Sequence, residues 1–307
     1  MDALNIECKI TAFASFYIPR NMDIEIDEPD PNNSSKRRII NLKLQKIDFK
    51  TGSDLNNLHA QFKNELELDD SMLQKFSQIL EEKNKAGHYQ IIKIEISPLN
   101  IFETILQGKI NKTPGYAYMC VLGFILGDRI EPLLIIYYPK NKKPIEHVKE
   151  TSWGLDEQKL EKSVNRWKQR NFYEFFSQNF TKVLDNFNTQ KNIRDAIEFY
   201  CLAMPKSHHP LCFVEYVAAF DRLKNLNNTD CSENKKKAIN DFEKNHNREL
   251  YKYRQIRNKF LHGGEFIQMI EMKNNDKKEK ISVDYDKDLE DCKTLLEDYI
   301  LTICNAE

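Results

Sequence analysis

The chain has 307 residues, 40% of them hydrophobic and 30% charged, with a formal net charge of −1. That length accommodates two ordinary domains, each with its own core, and the near-zero charge excludes a global basic field. Any RNA contact must therefore come from a local patch.

The N-terminus, Met1-Asp2-Ala3-Leu4-Asn5, lacks a basic region followed by an apolar one, so no secretory signal is expected. The runs Ile6 to Ile18, Arg38 to Phe49, Tyr89 to Ile96 and Tyr118 to Tyr138 are rich in Ile, Val, Phe and Tyr and predict strands. Leu42 to Phe49 partly alternates apolar with polar, the pattern of a half-buried strand. Pro29, Pro31 and the Asn-Asn-Ser-Ser that follows predict a flexible loop. One helix interrupts the strands, capped by Asp70 or Ser71, with Leu73, Phe76 and Leu80 as its stripe. The most apolar run, Ala117 to Gly127, is too short to span a bilayer, and Gly127-Asp128-Arg129 predicts a hairpin turn.

Near residue 150 the period becomes that of helices. Phe172, Phe176, Phe180, Val183 and Phe187 form one stripe, and Ile193, Ile197, Tyr200 and Met204 a second, ended by Pro205. Phe213, Val214, Val217 and Phe220 form a third, in a helix starting after Pro210. Residues 249–262 form the fourth, and Cys292, Leu296, Tyr299 and Ile303 a fifth, with Lys273 to Lys280 a charged loop between them. The expected fold is α+β: residues 1–150 a β-rich domain with at least one helix, residues 151–307 an all-α bundle.

Several clusters invite chemical readings. Seven cysteines without paired spacing argue against a disulfide framework and for a reducing, cytoplasmic setting. Cys201, His208, His209 and Cys212 lie close together, but their spacing is not a standard zinc pattern, so buried cysteines and a polar loop are preferred. Lys140, Lys142 and Lys143, with Lys273 to Lys280, read as solvated loops ahead of an RNA contact. The aromatic run from Phe172 to Phe180 reads as bundle core, and Trp153 and Trp167 as packing between the halves.

The fourth helix carries the most specific signal. Arg257 lies at i+7 from Leu250 and i+4 from Tyr253, on the apolar stripe, where a cation needs a partner or an anionic ligand. Asp221 lies on the apolar face of the preceding helix, so the two are expected to approach each other across the bundle. His262 follows at the last turn, before Gly263-Gly264, where unpaired carbonyls favour a cation. Positions five apart differ by roughly 140° around an ideal helix, so Arg257 and His262 do not share one face. A structural ion pair and a helix-capping histidine would also account for these residues.

The stretch Tyr253 to Phe266 resembles the terminal helix of the HEPN superfamily, particularly its ApeA-like branch. The resemblance covers roughly the second half of the chain. It rests on an arginine, a polar residue directly after it and a histidine a few positions on: Arg257, Asn258 and His262. Asp221 matches the family's acidic residue on an otherwise apolar helix. The resemblance implies a homodimeric, metal-independent RNA endonuclease that needs no cofactor. In it the ribose 2′-hydroxyl attacks the adjacent phosphate and leaves a 2′,3′-cyclic phosphate. It further implies a toxin-like role in antiviral defence, tRNA as one candidate target, and an N-terminal domain that answers an unknown activator. The rival expectation is a HEPN-like bundle that binds RNA, nucleotide or a protein partner without cutting. A third is a dimerisation scaffold in which Arg257 serves only Asp221.

Overall fold

The computed structural model describes residues 5–30, 33–47, 70–71, 73–74, 78, 91–102, 114–127, 130, 132–140, 145–148, 164–165, 167–168, 172–204, 211–228, 231–263, 269–274 and 277–306. The chain divides into two compact units: residues 1–122 with 130–181, and residues 123–129 with 182–307. The fold class is α+β, with a sheet in the first unit and helices dominating the second. The periodicity change near 150 is thus not where the units part, because the stretch after it remains with the sheet. Trp167 shows why. Its indole N–H donates to the Tyr17 carbonyl at 3.2 Å and its ring packs on Phe172 at 4.4 Å, all inside the first unit. Trp153 lies outside the described residues.

The sheet is built from β1 (Asn5–Ser15), β2 (Met22–Asp30), β3 (Asn33–Ile47), β4 (Ile91–Phe102), β5 (Pro132–Pro139) and β6 (Ile145–Val148). Its order is β2-β3-β4-β1-β5-β6, and every pairing is antiparallel. Strand alternation puts Ile10, Ala12 and Ala14 of β1 on one face. Ile92, Ile94 and Ile96 of β4, Leu42 and Leu44 of β3, and Ile24 and Ile26 of β2 continue that face, and all are buried. β1 is central, and its other face buries Thr11 and Phe13 as well. Towards the margin of that second face, Glu95 meets Lys9 at 2.6 Å and Lys93 at 3.5 Å. Burial works against the Glu95 charge, but the Lys9 hydrogen bond and the charges of both lysines outweigh it. Its carboxyl is held below the ordinary value.

Three expectations for this half need correction. Residues 117–126 are not a strand but part of a helix, α1 (Pro114–Leu126). The run is apolar on all sides, and a fully buried run has no period that separates strand from helix. Gly127 is not a hairpin turn but the helix terminator, at φ 66°, with its N–H donating to the Phe124 carbonyl at 3.1 Å. Pro29 and the Asn33-Ser34-Ser35 stretch lie in β2 and β3 rather than in a loop. β2 is an edge strand, where a missing N–H breaks no ladder. In the predicted helix, Asp70 and Ser71 are themselves helical rather than caps, and Leu73 is buried; Phe76 and Leu80 lie outside the described residues.

The second unit follows its stripes. α2 (Phe172–Thr189) begins in the first unit and buries Phe172, Phe176, Phe180, Val183 and Phe187. Each fully buried ring contributes about 1.5–3 kcal/mol. α3 (Lys191–Ala203), α4 (Leu211–Lys224), α5 (Glu233–Asn245), α6 (Asn247–Gly263) and α7 (Tyr285–Cys304) complete the helices. α5 is unanticipated: only Ile239 and Phe242 are buried along it, too few for a visible stripe, although Ser232 caps it by accepting from the Lys235 N–H. The unit is also not all-α. Residues predicted as a loop form a hairpin of β7 (Met269–Asn274) and β8 (Lys277–Ser282). Ile270 and Met272 turn inward from β7, and the Lys259 ammonium of α6 donates to the Met269 carbonyl at 3.3 Å. Beneath α5 and α7, Phe242 and Tyr299 stack with centroids 4.1 Å apart and planes 2° from parallel.

Candidate functional site

The site grows out of α6. Leu250, Tyr253 and Ile256 are its buried stripe, and Glu249 in the first turn suits the positive end of the helix dipole. Arg257 lies on the flank of that stripe, its side chain 21% exposed. One guanidinium nitrogen, Nη1, donates to Asp221 Oδ2 at 2.7 Å, which joins α6 to α4 as the spacing predicted. Nε and Nη2 both donate to Asn258 Oδ1 at 3.1 Å. A guanidinium has no acceptor, so the Asn258 amide must present its oxygen here. Asn258 thereby sets the arginine's orientation, and its NH2 is turned to the other side. Of the five N–H groups of a guanidinium, one serves Asp221 and two serve Asn258. Among the described residues, one on each terminal nitrogen has no partner.

Two residues absent from the sequence reading complete the arrangement. Arg254, three residues before Arg257, donates from Nε to Asp221 Oδ1 at 3.2 Å, so the one carboxylate bridges two arginines. On its other side, Arg254 Nη2 lies 3.5 Å from Glu243 Oε1 of α5 without hydrogen-bond geometry, and both atoms are buried. Glu243 in turn faces Lys224 of α4 at 3.7 Å. Signs alternate along the chain Lys224, Glu243, Arg254, Asp221, Arg257. Burial pushes the Tyr299 hydroxyl well above its ordinary pKa, and the Glu243 charge adds to the shift. The signal that could have found Arg254 was its spacing: two arginines at i and i+3 repel unless an anion lies between them.

His262 stands apart. It is exposed in the last turn of α6 and has no hydrogen-bond or ion-pair partner among the described residues. α6 is continuous through Gly263, so Arg257 and His262 diverge by roughly 140° around the axis. Asn258 lies between their directions. Within one chain, the arrangement offers an oriented guanidinium on one side of the helix and an exposed imidazole on the other. Gly264 lies outside the described residues.

Of the remaining candidates, Cys212 is buried and donates to the Ala203 carbonyl at 3.3 Å, while His208 and His209 lie outside the described residues. Among the described residues no group of three or more His, Cys, Asp or Glu could hold a metal ion. Lys140 is committed to Glu7 at 2.8 Å, and Lys142 and Lys143 lie outside the described residues. Among the described residues no helix is long and apolar enough to cross a membrane. No family model, no curated protein and no solved structure matches this chain.

Proposed function

We propose that this protein is a metal-independent RNA endonuclease of the HEPN type, acting as a homodimer through its helical unit. Arg257, Asn258 and His262 form its active site, and Asp221 supports them. The observation that carries the reading is Arg257, mostly covered, oriented by Asp221 and Asn258, with one N–H on each terminal nitrogen that has no partner among the described residues. That pair suits two oxygens of a phosphate, and a guanidinium stabilises the crowded, doubly charged phosphorane of in-line attack. Asn258 fixes the orientation of that guanidinium through its amide oxygen. His262, exposed at the end of α6, moves the proton, either from the attacking 2′-hydroxyl or to the departing 5′-oxygen. Such help is worth about 10²–10⁴-fold.

A single chain points Arg257 and His262 in different directions, so a cleft lined by two copies of α6 is the arrangement that brings a guanidinium and an imidazole to one linkage. The β-rich unit is the regulatory or recognition half. By the HEPN resemblance, the setting is cytoplasmic antiviral defence by abortive infection, with tRNA loops a suitable target because in-line attack needs a flexible 2′-hydroxyl.

One observation favours a second reading, a non-catalytic RNA-, nucleotide- or protein-binding module. The bond from Arg257 to Asp221 also makes a structural tie between α4 and α6, and its bond to Asn258 braces it within α6. Full-length protein incubated with total RNA in EDTA, alone and with lysate of phage-infected cells as a source of trigger, separates the two. The nuclease leaves 2′,3′-cyclic phosphate ends and loses activity in both Arg257→Ala and His262→Ala. Retained RNA affinity with no new ends in any condition overturns it in favour of the binding module.

A further inference from the structure

We infer that Arg254 is a positioning residue for Arg257: it holds one oxygen of Asp221, so that Arg257 keeps two N–H groups for a phosphate of the RNA backbone. The inference deepens the reading of Arg257 as a phosphate ligand and rests on it.

Asp221 has two oxygens and two arginine neighbours, and they are shared one to each: Oδ1 to Arg254 at 3.2 Å and Oδ2 to Arg257 at 2.7 Å. A carboxylate facing one arginine alone prefers the fork, with both oxygens on two parallel N–H groups. The fork is denied here because Arg254 occupies Oδ1. Arg254 cannot swing away, since its Nη2 faces Glu243 at 3.5 Å and its side chain is only 22% exposed. The same contact explains why Arg254 is not itself a substrate ligand: it stands between two carboxylates, Asp221 and Glu243. Asp221 is more open, at 40% exposure, so its orientation is held by Arg254 and Arg257 rather than by enclosure. Remove Arg254 and the full Asp221 charge turns onto Arg257, closing the N–H groups a phosphate would use and repelling the anion.

This predicts opposite outcomes for two neighbours of one ion chain, which a merely structural role does not. The probe is inorganic phosphate titrated into ¹⁵N-labelled full-length protein. The Arg257 Nε–Hε resonance, assigned by its loss in Arg257→Lys, is followed throughout. In Arg254→Gln the apparent phosphate affinity at Arg257 falls about tenfold, a value between the exposed and buried limits for a severed ion pair. Adding Asp221→Asn to that variant restores it to within about threefold of wild type, because the released carboxylate is gone. Glu243→Gln leaves it unchanged or tighter, since Arg254 then belongs wholly to Asp221. Should Arg254→Gln fail to fold by circular dichroism, Arg254→Met, which keeps the unbranched stem but has no N–H for Oδ1, gives the same loss and the same rescue.

The inference is overturned if Arg254→Gln binds phosphate as wild type does, if Asp221→Asn fails to rescue it, or if Glu243→Gln weakens binding in parallel. It is equally overturned if phosphate leaves the wild-type Arg257 resonance unmoved. Cleavage of RNA is scored separately: a protein that shows the expected phosphate pattern and cuts no RNA loses the nuclease reading and keeps this one.

Discussion

Replacing Arg257 by lysine separates the scaffold from the chemistry, and the structure sets the size of both effects. Arg257→Ala removes one charge-assisted bond to Asp221 and the fork to Asn258. Asp221 is 40% exposed and keeps Arg254, so water and the second arginine recover much of the loss. The net cost is about 1–2 kcal/mol, less than for an enclosed pair. For a unit of this size that lowers the melting temperature by roughly 3–8 °C. Lysine can still reach Asp221 with its ammonium but cannot make the fork, so Arg257→Lys costs about half as much. Cleavage is expected not to follow that order. A point charge does not present two parallel N–H groups, so RNA cleavage falls about 10²–10³-fold in both variants. The assay pairs a thermal melt with a single-turnover RNA digest on each variant. Wild-type cleavage in Arg257→Lys, or cleavage that falls only in step with the melting temperature, would refute the reasoning.

Three further predictions follow from burial and backbone geometry. Native alkylation should reach only Cys201 and Cys231, since Cys8, Cys120, Cys212, Cys292 and Cys304 are buried; burial also pushes the Cys8 and Cys304 thiols up to about 12. Mass spectrometry before and after denaturation checks this, and labelling of Cys292 in the native protein contradicts it. Partial burial raises the Asp298 carboxyl above its ordinary value of 3.8, Glu297 adds to the rise, and His246 opposes it. A raised folded-state value means stability present below 3.8 and lost as pH rises through the folded value. Asp298→Asn should therefore raise the melting temperature near neutrality and not well below pH 3.8. Finally, Gly127→Ala puts a β-carbon at φ 66° and should destabilise by about 1 kcal/mol, read as a shifted denaturant midpoint at unchanged slope.

What could be read from the chain alone follows from where one physical signal dominates. The stripe from Phe172 to Phe187 repeats at helical spacing against polar neighbours, and every member of it is buried. The 117–127 run carries no such contrast, so its helix was indistinguishable from a strand. α5 hid for the opposite reason, since two buried residues among lysines, asparagines and glutamates leave almost no period. In the hairpin only Ile270 and Met272 alternate, and the surrounding lysines outweigh them. At the site, the approach of Asp221 to Arg257 was legible because each charge sat on an apolar face and needed the other. Glu243 was not, because the helix that bears it was unseen. Arg254 looked like one more cation on a charged helix until the fold supplied its second carboxylate.

The β7–β8 ribbon has a consequence for how this unit can change. Its two strands pair in a continuous antiparallel register from Met269↔Ser282 to Asn274↔Lys277. Edits confined to the turn end, beyond Met272, spare the Lys259 bond to the Met269 carbonyl and the Arg248–Glu279 ion pair at 3.5 Å that tie the ribbon to α6. Parity restricts the edits: residues added two per strand keep Ile270 and Met272 facing inward, whereas a single insertion below them turns both to water. Diversity at this ribbon should come in even steps, giving the protein a surface it can remodel beside α6 without touching Arg257.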